Sequence, residues 1–248
     1  MIRRFAQCSS TIVAVTLLVA CAGPLPKIDL APHALTTTKT ITIIRAPEPK
    51  LYTVANFGHG GMAFGLIGGM IAAGDQASKQ EQLSRLYKNN GVSVCSELSQ
   101  KVADRLNGLG FSAKVEDAPW EEADGKHVLA FKKIESDADA VLVISPTIVG
   151  FVATGLVGGY DNDYLPTIAT VVTVLGKDRE KPIYRGYHVT GWQLKSEAWR
   201  YTPPSNRFRN FEALYTNPRA SSRSLIEAAS KVANSIGRDL KQQWESTK

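Results

Sequence analysis

Residues 140–152 read AVLVISPTIVGFV, a long run rich in β-branched residues and free of charge. Such a run reads as a strand, and Pro146 inside it marks a bulge or an edge position, because proline cannot donate to a strand ladder. Residues 165–175 (LPTIATVVTVL) predict a second strand, 176–181 a turn, and 183–192 (IYRGYHVTGW) a returning strand. Together they predict a three-stranded meander. Working outward, Phe111, Ala113 and Val115 alternate as in a strand, and 92–109 carries apolar residues at 95, 98, 102, 106 and 109, the spacing of an amphipathic helix. Gly108 and Gly110 suit the C-terminal cap of that helix. Residues 76–89 (QASKQEQLSRLYKN) are polar and helix-forming, 39–45 (KTITIIR) read as a strand closed by Pro47 and Pro49, and 51–57 as another short strand. Beyond the meander, 195–217 is a polar, aromatic-rich loop. A last helix starts at Asn217 as cap with Pro218 in first position, or alternatively at the capping box Ser224 to Glu227. Leu225, Ala229, Val232, Ile236 and Leu240 line its buried face. The order of elements predicts an α+β fold, a mixed and mainly antiparallel sheet with helices packed on one face.

Composition agrees with a chain that buries a core. The 248 residues are 44% hydrophobic and 21% charged, which excludes wholesale disorder. Three cysteines exclude a disulfide scaffold. His33, His59, His127 and His188 show no metal-binding spacing, so neither a metal nor another cofactor is expected. The organisation expected is a signal peptide over 1–20, a modified N-terminus with a flexible tether containing prolines over 21–38, and a single domain over 39–248.

The N-terminus carries the most specific signal. Arg3 and Arg4 precede the uncharged stretch TIVAVTLLVA (11–20), which is too short to span a bilayer, where roughly 20 apolar residues are needed. Leu18-Val19-Ala20-Cys21 resembles the lipobox of bacterial lipoprotein precursors. That resemblance implies cleavage before Cys21, acylation of its sulfur, and a mature chain of 228 residues anchored by several acyl chains. Residue 22 is alanine rather than aspartate, which by the same resemblance favours the outer membrane, with the domain facing the periplasm. Cys95 is then the one free thiol, and its place in the apolar line of the 92–109 helix makes it a small buried hydrophobe rather than a reactive site. The helix–strand–strand pattern of 92–145 resembles units in the N-terminal domain of TolB and in the curli-secretion lipoprotein CsgG. Surface-exclusion lipoproteins of conjugative plasmids look partly similar. A resemblance of pattern leaves function open.

Three readings stand for the glycine-rich segment 58–74. Gly58 to Ala63 fits G-x-G-x-x-A, the dinucleotide fingerprint, but no regular βαβ succession follows. Gly61, Gly65 and Gly69 recur every four residues, so they would share one helical face and form a packing or oligomer seam. The third reading is burial within the monomer. From 51 to 74 no formally charged residue occurs if His59 is neutral.

Charge is uneven: residues 177–248 hold 14 Lys or Arg against 7 Asp or Glu, whereas 75–139 hold 9 against 12. Arg200, Arg207 and Arg209 interleave with Trp192, Trp199, Tyr201, Phe208, Phe211 and Tyr215, a strip suited to an anionic envelope polymer, headgroup surface or acidic envelope protein. Outside the cytoplasm nucleic acid is not expected. Glu121, Glu122 and Asp124 cluster in the acidic, loop-like stretch 116–126 with His127 nearby, and Asp161-Asn162-Asp163 could form a loose calcium loop, but solvated acids and a turn are the expected readings. No nucleophile elbow or phosphate-binding loop occurs. The function expected is therefore a lipid-anchored, non-enzymatic binding or assembly module of the envelope. The alternatives are an oligomeric secretion or pore component and, less favoured, an envelope hydrolase.

Overall fold

The computed structural model describes residues 25–31, 37–56, 74–123, 126–153, 163–193 and 198–245. Among these, the strands are β1 (Thr40–Ile44), β2 (Thr53–Asn56), β3 (Ser112–Glu116), β4 (Glu121–Ala123), β5 (Lys126–Val128), β6 (Ala140–Ala153), β7 (Tyr164–Leu175), β8 (Pro182–Thr190) and β9 (Trp199–Thr202). The helices are α1 (Gly74–Asn89), α2 (Val94–Asn107), α3 (Phe211–Tyr215) and α4 (Pro218–Glu245). A seven-stranded mixed sheet runs in the order β3-β1-β6-β7-β8-β9, with β2 also paired to β6. The long central pairings, β6 with β7 and β7 with β8, are antiparallel, as the meander requires. The shorter outer pairings are parallel. Pro146 sits at a shift of register in β6, so of the two options the bulge is realised, in a central strand.

Strands β1 and β2 share one side of β6, β1 along Ala140–Val143 and β2 along Gly150–Ala153. Gly150 makes the second contact feasible. Its φ is +154°, and a Cβ there would lie 2.0 Å from the Thr53 carbonyl oxygen.

One face of the sheet carries all the long helices. The main core joins Leu83 and Tyr87 of α1, Cys95, Leu98, Val102 and Leu106 of α2, and Leu225, Val232 and Ile236 of α4 to Ile41, Leu142, Phe151, Ile168 and Tyr184 of the sheet. The opposite face has two smaller clusters. Ile44, Val141, Val143 and Leu175 lie under Leu129 and Ile134, while Ile148, Val152, Ala169 and Val189 pack with Trp192 and Trp199.

Local chemistry fixes the helix ends. The Asn217 carboxamide oxygen accepts from the Ala220 amide at 3.2 Å and α4 opens on Pro218, so the first of the two proposed starts is used. In α2 the side chain of Ser93 makes no capping bond. Glu48 does it instead, its Oε1 accepting from the amides of Cys95 and Ser96 at 2.8 and 2.9 Å. A carboxylate there also suits the positive end of the helix dipole. Arg179, buried and at φ 57°, donates to the carbonyls of Gly176, Ser136 and Ala138 and ties the β7–β8 turn to the start of β6.

Three local expectations are corrected. The acidic stretch 116–126 is not wholly loop: Glu121–Ala123 pairs with Lys126–Val128 as a two-stranded ribbon. Its neighbours Trp120, Leu129 and Phe131 have apolar surface to bury and place it over the second sheet face. The loop expected over 195–217 contains β9 and α3. Finally, residues 25–30 of the expected tether are docked rather than free. Ile28 exchanges both backbone hydrogen bonds with Arg185, at 3.1 and 2.8 Å, and Leu30 is buried. An open strand edge with unpaired amides and an apolar side chain nearby are sufficient causes.

Candidate functional site

Alternation along β8 points Tyr184, Gly186 and His188 at the helix layer and Arg185, Tyr187 and Val189 at the other face. On α4, Ser235 and Asp239 are one turn apart and face the sheet. The two rows meet in a buried polar network. The Tyr184 hydroxyl donates to Asp239 Oδ2 at 2.7 Å. Having spent its proton there, it accepts from His188 Nε2 at 3.2 Å, which leaves His188 Nδ1 to accept from the Ser235 hydroxyl at 3.0 Å. Asp239 Oδ1 receives Arg200 Nη2 at 2.5 Å and the Gln243 amide at 2.9 Å. Gln243 Oε1 in turn accepts the Leu30 amide at 2.7 Å. The chain of bonds therefore links β8, α4, β9 and the N-terminal segment.

Gly186 is required by this geometry. A Cβ on it would meet the Tyr184 hydroxyl oxygen at 1.9 Å and His188 Nε2 at 3.0 Å, so the tyrosine ring crosses the space a side chain would fill.

Burial sets the protonation. Desolvation lowers the His188 pKa to about 4, opposed by Asp239 and reinforced by Arg200, so the imidazole is neutral near pH 7. Desolvation, with Asp239 adding to it, pushes the Tyr184 phenol far above its ordinary range. The network sets a serine hydroxyl on an imidazole, as a nucleophile and base are set, but Tyr184 stands between the imidazole and the carboxylate. Tyr184, His188, Ser235 and Asp239 are all buried. A cavity of about 250 Å³ beside the network, lined by Asp29, Leu30, Arg200, Gln242 and Gln243, touches only the Arg200–Gln243 end.

The sequence-derived candidates are scattered. Cys21 and the seam Gly61, Gly65 and Gly69 lie outside the described residues, as do Asp161 and Asn162. Arg200 points into the molecule at Asp239, whereas Arg207 pairs with Asp163 at 3.3 Å and Arg209 is exposed in the loop after β9. The aromatics between them divide as well: Phe208 packs edge-on against Phe151 at 5.5 Å and Trp199 against Tyr187 at 5.2 Å. Glu121 is bound to Lys133 at 2.5 Å at the surface. Cys95 is buried and unpaired, with its thiol pKa raised by burial and by Glu48, as expected of a core residue. The Tyr184–His188–Ser235–Asp239 network was not anticipated. Its one sequence signal is a pair of polar residues at i, i+4 on each element, set on faces that are otherwise apolar.

A larger groove of about 770 Å³ runs between residues 48–52, α1 and the α1–α2 turn, lined by Glu48, Lys50, Tyr52, Arg85 and Lys88 among others. Among the described residues no group of three His, Cys, Asp or Glu could hold a metal ion, and no helix is long and apolar enough to cross a membrane.

No family model matches the sequence, and no curated protein matches it. Solved structures show distant likenesses. Protein XCC0632 from Xanthomonas campestris, of the family DUF330, is 10% identical, with 91% of this chain and 98% of that chain covered and a TM-score of 0.43. A candidate lipoprotein from Caulobacter crescentus CB15 is 13% identical over 62% of this chain and 85% of that one, with a TM-score of 0.38. The PelC dodecamer from Paraburkholderia phytofirmans is 12% identical over 84% and 91%, with a TM-score of 0.35. Likenesses at this distance carry no argument about function.

Proposed function

We propose that this chain is a lipid-anchored protein of the bacterial envelope that acts by binding rather than by catalysis. Leu18-Val19-Ala20-Cys21 after a short apolar run carries the reading. Cys21 is the acylated residue, the acyl chains hold the protein in the outer membrane, and the α+β domain faces the periplasm. The closed state of the Tyr184–His188–Ser235–Asp239 network supports the absence of catalysis, since the acid, base and hydroxyl gathered there serve to fasten β8, α4 and β9. The Gly61, Gly65 and Gly69 repeat supports self-association as a second mode of assembly. The partner is a second envelope protein or an anionic envelope polymer.

Cys21→Ser tests the anchor. It is expected to leave the precursor uncut and to abolish incorporation of labelled fatty acid. Continued labelling of that variant, or normal release of a soluble product from the native sequence, refutes the reading. Crosslinking in intact cells followed by capture then identifies what the domain touches.

A further inference from the structure

We infer that the β8–β9 edge of the sheet, on the face away from the helices, lies against the headgroup layer of the membrane that holds the anchor. This rests on acylation of Cys21. The N-terminal segment crosses the sheet edge in a fixed order. The Tyr187 hydroxyl donates to the Leu25 carbonyl, Arg185 Nη1 to the Pro26 carbonyl at 3.2 Å, Ile28 pairs with the backbone of Arg185, and the Leu30 amide reaches Gln243 of α4. The segment thus begins on the face away from the helices and ends on the helix side.

Three residues lie between Cys21 and Leu25, and an extended chain spans at most about 3.6 Å per residue, so the four Cα-to-Cα steps reach no more than about 14 Å from the docked Leu25. A leash this short cannot hold the domain far from the bilayer. It selects the surface around Leu25 as the one brought to the lipid. That surface has the composition of a membrane-interface rim at its exposed positions. Leu25 is 62% exposed and Tyr201 37% exposed, and half-buried Trp199 packs edge to face on Tyr187, which is itself buried beneath the rim and bonded to Leu25. Because Arg200 turns inward to Asp239, Trp199 and Tyr201 on either side of it turn outward from the helix layer. Tyrosine and tryptophan are favoured where one end of a side chain meets hydrocarbon and the other meets water.

The test uses the acylated full chain in vesicles of phosphatidylethanolamine and phosphatidylglycerol. A nitroxide is attached at Tyr201→Cys or, as the reference, at Tyr215→Cys, an exposed position in the helix layer. Buried Cys95 stays unlabelled, with the native chain as its control. The nitroxide at 201 is expected to show a several-fold lower collision rate with a water-soluble nickel complex than the one at 215, with more oxygen access. In parallel, brominated phospholipid is expected to quench the fluorescence lost in Trp199→Phe. Flotation with the vesicles but equal nickel access at both positions, and no quenching of Trp199, overturns the orientation alone. Failure to float, with no acyl group on Cys21, removes the anchor and this inference with it.

Discussion

The Tyr184 ring spans Gly186 on its own strand, and its hydroxyl donates to Asp239 of α4 at 2.7 Å. This contact closes the helix layer onto the sheet and holds the carboxylate that receives Arg200. Gly186→Ala would drive a methyl into the tyrosine oxygen. Overpacking of that kind costs about 2 kcal/mol. Urea unfolding is expected to show the midpoint lowered with the slope unchanged, and a wild-type midpoint would contradict the packing described.

Asp239 accepts from Tyr184, Arg200 and Gln243 while it is itself buried. Removing it leaves Tyr184 without its acceptor and Arg200 without its counter-charge. Breaking a buried pair in this way costs about 3 kcal/mol, discounted here because the Arg200 side chain is 39% exposed. Asp239→Ala is therefore expected to destabilise more than Tyr184→Phe, in the same unfolding experiment. The reverse order would show that the carboxylate is not the hub of the network.

Two groups give the acid response separate windows. His188 is neutral in the folded protein down to about pH 4, against an ordinary value of 6.5. Between these values the unfolded chain binds a proton that the native one does not, so stability is lost as pH falls from 6.5 to about 4. The loss is about 3 kcal/mol at most, from 1.36 kcal/mol per pKa unit. Asp239 opposes the shift, Arg200 reinforces it, and Tyr184 and Ser235 are the hydrogen-bonding neighbours. Asp139 acts lower. The amides of Lys39 and Thr40 and the Thr40 hydroxyl bring its carboxyl to about 2, from 3.8, so its contribution is present above 3.8 and fades as pH falls toward 2. His188→Gln should flatten the upper window in thermal melts taken against pH, leaving the lower one.

The elements that fill a core were legible, and their partners were less so. The meander, α2 and α4 announce themselves because a period of 2 or 3.6 repeats over many residues. Parallel pairing of β1 and β2 with β6 leaves no trace in either strand, since periodicity reports which face is buried and not which neighbour is bonded. Ser93 occupies the N-cap position of α2 and is of a type that caps helices, but the cap comes from Glu48, 47 positions from Cys95. Ser235 and Asp239 lie among the apolar residues of the buried α4 face, and no pattern within the helix shows that β8 sets His188 and Tyr184 opposite them. Arg200 and Arg207 read as one basic strip because they are close in sequence. Alternation along β9 turns Arg200 to Asp239 of α4, while Arg207, in the loop after β9, pairs with Asp163 just before β7.

Glu48 makes a further test of a cap that only the folded chain supplies. Glu48→Ala removes the acceptor from the Cys95 and Ser96 amides and from the Tyr52 hydroxyl. A loss of about 1–2 kcal/mol is expected. Hydrogen exchange at the first turn of α2 should rise more than exchange elsewhere. Equal protection in both proteins would mean that another group caps the helix.

Self-association through the glycine repeat predicts that Gly65→Leu shifts detergent-extracted protein toward monomer in native mass spectrometry. Gly61 and Gly69 would respond alike. A change confined to monomer stability would instead place the segment inside a single chain.

Mass spectrometry of the mature N-terminal peptide, purified from the membrane fraction of cells producing the full chain, bears most directly on the anchored reading. The account predicts a peptide that begins at Cys21 and carries the mass of a diacylglyceryl group on its sulfur. A peptide that begins elsewhere, or an unmodified Cys21 in protein recovered from the soluble fraction, would contradict it.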